Sequence, residues 1–329
     1  MSQDYLTVQV RQAGALSHPT DLLALKYAQE SHGVDLDAAR QLDVARHRLP
    51  GEGEHLLVEG PGVAAGAVLF LGVPPLDRFA YREIREFGRR VLAIAAAVRP
   101  RSRDISLTLH GPGYGLDESE AFESELGGIF QAVSEGAFPA GLRTVTFVEA
   151  NARRAERMLA MLEDVPRIPL PRPGLSGSAI TVAGDGHGRL RSAGYDADTK
   201  EHAFIAMPFA DSFDDLFHYG IVPPVRGAGL ICERLDELSF TGDVVQRLKE
   251  RIDAARIVVA DLTNANPNVY LEVGYAWGRD IPTVLICDQN TPLTFDVHGQ
   301  RCLIYRSIRD LEHKLTREIG NLLTGAGPL

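Results

Sequence analysis

Short apolar segments alternate with longer helical ones along this chain, in two series separated by a single Pro- and Gly-rich stretch. That rhythm constrains the fold more than any other feature, because parallel neighbouring strands need a crossover of helix length between them. In residues 1–163 the strand candidates are YLTVQV, DLLALKYA, HLLVEG, GAVLFLGV, DISLTLHG and LRTVTFVEA. Helical patterns cover RFAYREIREFGRRVLAIAAAV and DESEAFESELGGIFQAV. Residues 164–200 break the rhythm and read as a linker, with a small hairpin expected around AITVAGDGHGRLRSA, where Asp185-Gly186 supplies a turn. From residue 201 the alternation restarts with HAFIAMPF, LICERL, RIVVADL, IPTVLIC and CLIYR as strands. The helices between them are FDDLFHYGIVPPVRGAG, TGDVVQRLKERIDAA with Thr241 as N-cap, NVYLEVGYAWG and IRDLEHKLTREIGNLL. The expectation is an α/β chain of two α/β domains, 1–163 and 201–329, the second carrying a parallel five-stranded sheet.

Composition removes several classes of function. A net charge of −10 opposes a general affinity for nucleic acid, whose phosphates demand clustered Lys and Arg, and has the wrong sign for an anionic membrane surface. No apolar run has the length of a membrane span, and MSQDYLTVQVRQ lacks the basic-then-apolar order of a signal peptide. Three cysteines without CxxC spacing, Cys232, Cys287 and Cys302, read as reduced thiols and therefore as cytoplasmic. Neither HExxH nor paired Cys/His spacing is present, so no metal site is expected. RRVLAIAAAVRPRSR reads as a solvated helix end, and Trp277 and Phe217 as core or interface residues.

The stretch VVADLTNANPNVYLEVGYAWG, residues 258–278, carries the chemistry. In a doubly wound sheet of order 2-1-3-4-5 a crevice opens at the carboxyl ends of strands 1 and 3. In the second domain two loops would meet there, Met207-Pro208-Phe209 after strand 1 and Asp261 through Asn268 after strand 3. Pro267 suits a first helical turn, and Asn266 or Asn268 can cap it. Glu272 then lies in the first turn and a half, where the helix dipole favours an ionised carboxylate. Such a carboxylate, aimed into a cleft, stabilises developing positive charge, as at sugar C1 when an N-glycosidic bond breaks. The alternative is an acid that complements the dipole and faces water. Helical spacing puts Val269, Val273 and Ala276 on one apolar face and Glu272, Tyr275 and Arg279 on another, which favours a site.

FIAMPF, FDDLF, VRGAGLICERLDE and DVVQRLKERIDAARIVVADLTNANPNVYLEVGYAWGRDIPTVLI together resemble TIR-like domains related to nucleoside 2-deoxyribosyltransferases, over residues 201–306. The resemblance implies a flavodoxin-like fold and cleavage of N-glycosidic bonds in nucleosides, nucleotides or NAD. Many such domains act in bacterial anti-phage defence. The glutamate of the family's N-P-N-V-x-x-E-x-G-x-A block maps onto Glu272, with Val273 where the family commonly has Leu. By the same resemblance Met207, Pro208 and Phe209 wall a base or nicotinamide pocket, and Asp261 is the strand-end acid. Asn268 meets a ribose hydroxyl and Asp236 a second ribose or an adenine edge. Each has a plainer reading, as strand stop, Asx turn, helix cap or solvated loop.

In the first domain, LTLHGPGYGLDESEAF sets Gly111, Gly113, Tyr114 and Gly115 between a strand and a helix, where backbone N–H groups can approach a phosphate. Asp117 and Glu118 would oppose an anion there. With VEGPGVAAGAVLF, this segment resembles the macro-like N-terminal domain of leucyl aminopeptidases. That resemblance implies binding of ADP-ribose-like nucleotides, and no peptidase activity, because no counterpart of the metal-binding domain follows. The joint expectation is an NAD(+) glycohydrolase that uses NAD as substrate, needs no cofactor, responds to an ADP-ribose-like ligand and assembles into a homo-oligomer. The alternatives are a nucleoside or nucleotide N-glycosidase or deoxyribosyltransferase, and a non-catalytic nucleotide sensor.

Overall fold

The computed structural model describes residues 4–30, 33–112, 114–170, 187–208, 210–235, 244–292 and 300–324. The chain divides into two units, Met1–Pro112 with Glu118–Asp198, and Gly113–Asp117 with Thr199–Leu329. Residues 187–198, read from composition as linker, therefore belong to the first unit. Gly188–Ser192 in the expected hairpin form a short helix, and the preceding part of the hairpin lies outside the described residues.

In the first unit, β1 (Tyr5–Gln12), β2 (Leu22–Tyr27), β3 (His55–Val58), β4 (Val68–Gly72), β5 (Asp104–Leu107), β6 (Thr144–Glu149) and β7 (Ile168–Pro169) form one mixed sheet of order β3-β4-β2-β5-β6-β1-β7. β2 and β4 are buried along their whole length, as expected for near-continuous apolar runs in a parallel sheet covered on both faces. The two edge strands, β3 and β7, run antiparallel to their neighbours. The helices are α1 (Val34–Gln41), α2 (Tyr81–Val98), α3 (Glu118–Ser134), α4 (Ala152–Glu163) and α5 (Gly188–Ser192). α2 and α3 approach closely through glycines. A Cβ on Gly88 would fall 2.4 Å from the Glu125 carbonyl oxygen, and one on Gly128 1.9 Å from that of Arg85. Larger residues at either position would push the helices apart, and their contact seals Glu125 inside.

In the second unit, β8 (His202–Ala206), β9 (Ile231–Glu233), β10 (Ile257–Asp261), β11 (Thr283–Asp288) and β12 (Cys302–Tyr305) form an all-parallel sheet of order β12-β11-β10-β8-β9. Counted within the unit, this is the expected 2-1-3-4-5 order. One face packs Ala203, Ile205, Val259 and Ile286 against α6 (Val222–Gly227) and α9 (Ile308–Thr324). The other packs Phe204, Ala206, Val258 and Ala260 against α7 (Val244–Asp253) and α8 (Pro267–Gly278). The helix expected over FDDLFHYGIVPPVRGAG is interrupted: Leu216–Ile221 is a π-helical turn that leads into α6. Pro223 and Pro224 donate no backbone N–H, so the regular ladder cannot run through this stretch. The proposed N-cap Thr241 lies outside the described residues.

Candidate functional site

The chain leaves β8 toward β9 on one side, while β10 pairs with β8 on the other. The carboxyl ends of β8 and β10 therefore form the topological switch point where open α/β sheets place their ligands. Met207 and Pro208 follow β8 directly and both are buried. Met207 packs with Ile205 and Phe217, so it closes the floor at the strand end. Phe209 and Asp236 lie outside the described residues.

From β10 the chain enters α8, and Asn266 is the cap: its Oδ1 accepts from the Asn268 backbone N–H at 2.9 Å. Pro267 occupies the first turn, as its fixed φ and missing donor favour. Asn268 is exposed just beyond the cap. One turn further on, Glu272 is 8% exposed and takes its place among the helix's buried residues, with Val269, Val273 and Ala276. An acid that merely complemented the dipole would sit in water. Burial of a carboxylate on an otherwise aliphatic face carries a desolvation cost that solvated helix acids avoid.

Tyr275 and Arg279 both meet the carboxylate of Asp253. The Tyr275 hydroxyl donates to Asp253 Oδ1 and Oδ2 at 3.1 and 3.0 Å, and Arg279 Nε donates to Asp253 Oδ1 at 2.8 Å. Asp253 ends α7, and its carboxylate gathers both side chains into a surface cluster between two helices.

Asp261 is wholly buried and well partnered. Its Oδ1 accepts from the Thr263 backbone N–H at 3.0 Å and from the Thr263 hydroxyl at 2.5 Å, while the Tyr305 hydroxyl donates to Oδ2 at 3.3 Å. The Thr263 hydroxyl oxygen also accepts from the Asp288 backbone N–H at 3.0 Å. One short network thus stitches the ends of β10, β11 and β12. Burial raises the Asp261 pKa, and the bonds from Thr263 oppose that shift. This is the Asx-turn reading with a structural role. Asn264 and Ala265 in the same loop hold φ of 63° and 49°.

The sequence reading passed over Arg234, the first residue after β9. Its guanidinium lies 4.2 Å over the Phe217 ring, and Nη1 is 3.7 Å from the Met207 sulfur. A charged residue directly beyond an apolar strand, at the carboxyl end of a parallel sheet, was the available signal.

The glycine-rich loop after β5 divides between the two units. Gly111 is buried with φ of +108°, whereas Tyr114 and Gly115 belong to the second unit, where Tyr114 bridges to Leu235. Gly113 lies outside the described residues. Asp117, also of the second unit, accepts from Arg226 Nη2 at 2.5 Å and from the Cys232 backbone N–H at 3.3 Å.

Cys232, Cys287 and Cys302 are free, and burial raises all three thiols, Cys302 to about 12, so none supplies a thiolate near neutrality. Among the described residues no group of three His, Cys, Asp or Glu side chains is placed to hold a metal ion, and no helix is long and apolar enough to cross a membrane.

No family model matches the sequence, and no curated protein matches it. Solved structures of similar fold include the Trypanosoma brucei macrodomain in complex with ADP-ribose, at 18% identity over 47% of this chain and 68% of that chain, with a TM-score of 0.38. The Oceanobacillus iheyensis macrodomain with ADP is 17% identical over 50% of this chain and 93% of that chain, with a TM-score of 0.39. Each covers about half of this chain.

Proposed function

We propose that the second unit hydrolyses N-glycosidic bonds, with NAD(+) as substrate and Glu272 as the catalytic carboxylate. The observation that carries this reading is the burial of Glu272 among Val269, Val273 and Ala276, on the helix that starts from the switch point of a 2-1-3-4-5 sheet. The C1′–N bond breaks with its electron pair moving onto the nicotinamide nitrogen, which neutralises the ring. Nicotinamide thus leaves without a proton, and no general acid is needed. Glu272 stabilises the ribosyl cation until water adds to C1′ and releases a proton. The products are nicotinamide, ADP-ribose and a proton. Departure of nicotinamide without a proton asks for one carboxylate rather than an acid and a base.

In this reading the first unit serves as the sensor of an ADP-ribose-type ligand, as its macro-like sequence suggests, and the whole acts as an effector of the kind found in anti-phage defence. The test is nicotinamide release from NAD(+) by the full chain and by Glu272→Gln, with and without ADP-ribose. Release that disappears in the isosteric variant supports the reading. Equal release by both rejects Glu272, and no release by either rejects NAD(+) cleavage. A rate that rises more steeply than linearly with protein concentration supports action as a homo-oligomer, and strict proportionality opposes it.

A further inference from the structure

We infer that the segment Tyr114–Asp117 serves two seats in turn: an anionic ligand in the first unit's crevice draws on this loop and so releases Asp117 from Arg226 in the second unit. The inference rests on the reading of the first unit as a sensor. In the first sheet β2 and β5 are parallel neighbours, and the chain goes on from β2 toward β4 but from β5 toward β6, on the opposite side. Their carboxyl ends are therefore the switch point of that sheet, where a ligand would sit. The loop that leaves β5 starts there. It belongs to the first unit as far as Pro112, to the second from Gly113 to Asp117, and to the first again from Glu118, where α3 begins.

The second unit holds this segment along its length. Tyr114 bridges antiparallel to Leu235, shortly after β9. Gly115 has a φ of +92°, and a Cβ there would fall 3.0 Å from Leu235 Cδ1, so the backbone passes close over that side chain. Asp117, 2% exposed, accepts from Arg226 Nη2 at 2.5 Å and from the Cys232 backbone N–H at 3.3 Å. Arg226 lies in the last turn of α6, and Cys232 is in β9, which pairs with β8. A buried carboxylate does not leave its cation by degrees, because separation leaves an uncompensated charge. The seat is therefore either made or lost. Its loss reaches the strand beside β8, from which Met207 and Pro208 follow.

The competing seat uses the same residues. Phosphate oxygens at a strand end are met by backbone N–H groups of glycine-rich loops. Here the loop turns at Gly111, with a φ of +108°, and again at Gly115. A segment this short, tied to β5 at one end and α3 at the other, has no slack to fill both seats. Two sites that draw on one element are coupled reciprocally: whatever weakens the seat on Arg226 strengthens the ligand by the same factor.

The test is calorimetry of ADP-ribose binding to the full chain, unaltered and carrying Arg226→Gln or Arg226→Lys. Arg226→Gln strips Asp117 of its cation, and Arg226→Lys keeps the charge but not the forked donor geometry. The expected result is an ADP-ribose affinity at least threefold tighter with glutamine and a smaller gain with lysine. By charge alone, loss of a cation weakens the binding of an anion, so a gain reports the loop. A second measurement uses the unaltered chain only. Saturating ADP-ribose should speed amide hydrogen exchange over residues 226–235.

Unchanged or weaker ADP-ribose affinity in the glutamine variant overturns the inference, and so does exchange over residues 226–235 that bound ADP-ribose leaves as it was. Either result leaves the first unit a sensor, because binding itself is seen. No ADP-ribose binding by any of the three proteins sinks the sensor reading and this inference with it. Neither measurement involves nicotinamide release, so failure of the glycosidase reading leaves the shared loop standing.

Discussion

Glu125 and Glu272 are both buried glutamates on helices that cover a sheet, yet their surroundings separate them. Glu125 sits in the first unit with both carboxyl oxygens buried. Burial drives its pKa well above the ordinary glutamate range, and the His110 backbone N–H and the Lys26 charge oppose the shift only in part. Lys26 and His110 are themselves buried and pushed down, chiefly by desolvation. Glu125 belongs to a sealed interior, held between α2 and α3 where Gly88 and Gly128 allow close contact. Glu272, in contrast, lies just beyond a strand end at a switch point and keeps 8% of its surface exposed. Burial alone therefore does not mark a site, and the proposed role of Glu272 rests on its place at the mouth of a parallel sheet.

The largest effect that tests this contrast is on rate. Glu272→Gln should lower nicotinamide release by at least ~10²-fold, the scale for removing one preorganised group that meets transition-state charge. Its melting temperature should stay close to that of the unaltered chain. The same substitution at Glu125 should leave the rate alone. A Glu125 variant that lost activity while folded would erase the distinction between the two acids.

Next in size is Asp261, a third buried acid of yet another kind. Asp261→Ala removes the acceptor for the Thr263 N–H, the Thr263 hydroxyl and the Tyr305 hydroxyl. Stranding buried donors at this junction should cost about 2–3 kcal/mol in urea unfolding. Asp261→Asn keeps an acceptor for Thr263 and should retain both fold and activity. A collapse of kcat in a stable Asn variant would instead return Asp261 to the substrate.

These residues also show how far the sequence could be read. The order of the second sheet was legible because each parallel strand is a continuous apolar run separated by helix-length segments, and the Asn-Pro pair announced the start of α8. Burial of Glu272 was not legible: helical spacing put it with Tyr275 and Arg279. What holds Tyr275 and Arg279 is Asp253, twenty-two residues before Tyr275 in sequence, and the docking of α7 that brings it near is a tertiary fact. Arg234 escaped notice for a related reason, since its meaning depends on Phe217 and Met207, which come from another loop. In the first unit, the glycines after β5 suggested an anion loop, but the pairing of Asp117 with Arg226 spans more than a hundred residues and no local pattern records it.

Glu125 offers the third test, in pH. Its raised pKa means that the protonated form is the one the fold favours. That stability is fully present below the ordinary glutamate value and is lost as pH rises through the raised one. Glu125→Gln keeps the neutral shape without the proton to lose. Its melting temperature should match that of the unaltered chain in mild acid and exceed it at neutral and alkaline pH. Lys26 and His110 face the same interior, so the difference between the two proteins, rather than either curve alone, isolates Glu125. A difference independent of pH would mean that the carboxyl is ionised throughout and held by Lys26.

Smallest of all should be Tyr275→Phe. The hydroxyl is exposed, and its bonds to Asp253 lie where water can replace them and where Arg279 already holds the carboxylate. Neither KM for NAD(+) nor the melting temperature should move measurably. The prediction is small but decisive for the boundary of the site. A rise in KM would extend the crevice around α8 to its α7 side. An unaltered KM leaves the chemistry with Glu272, on the helix that β10 feeds.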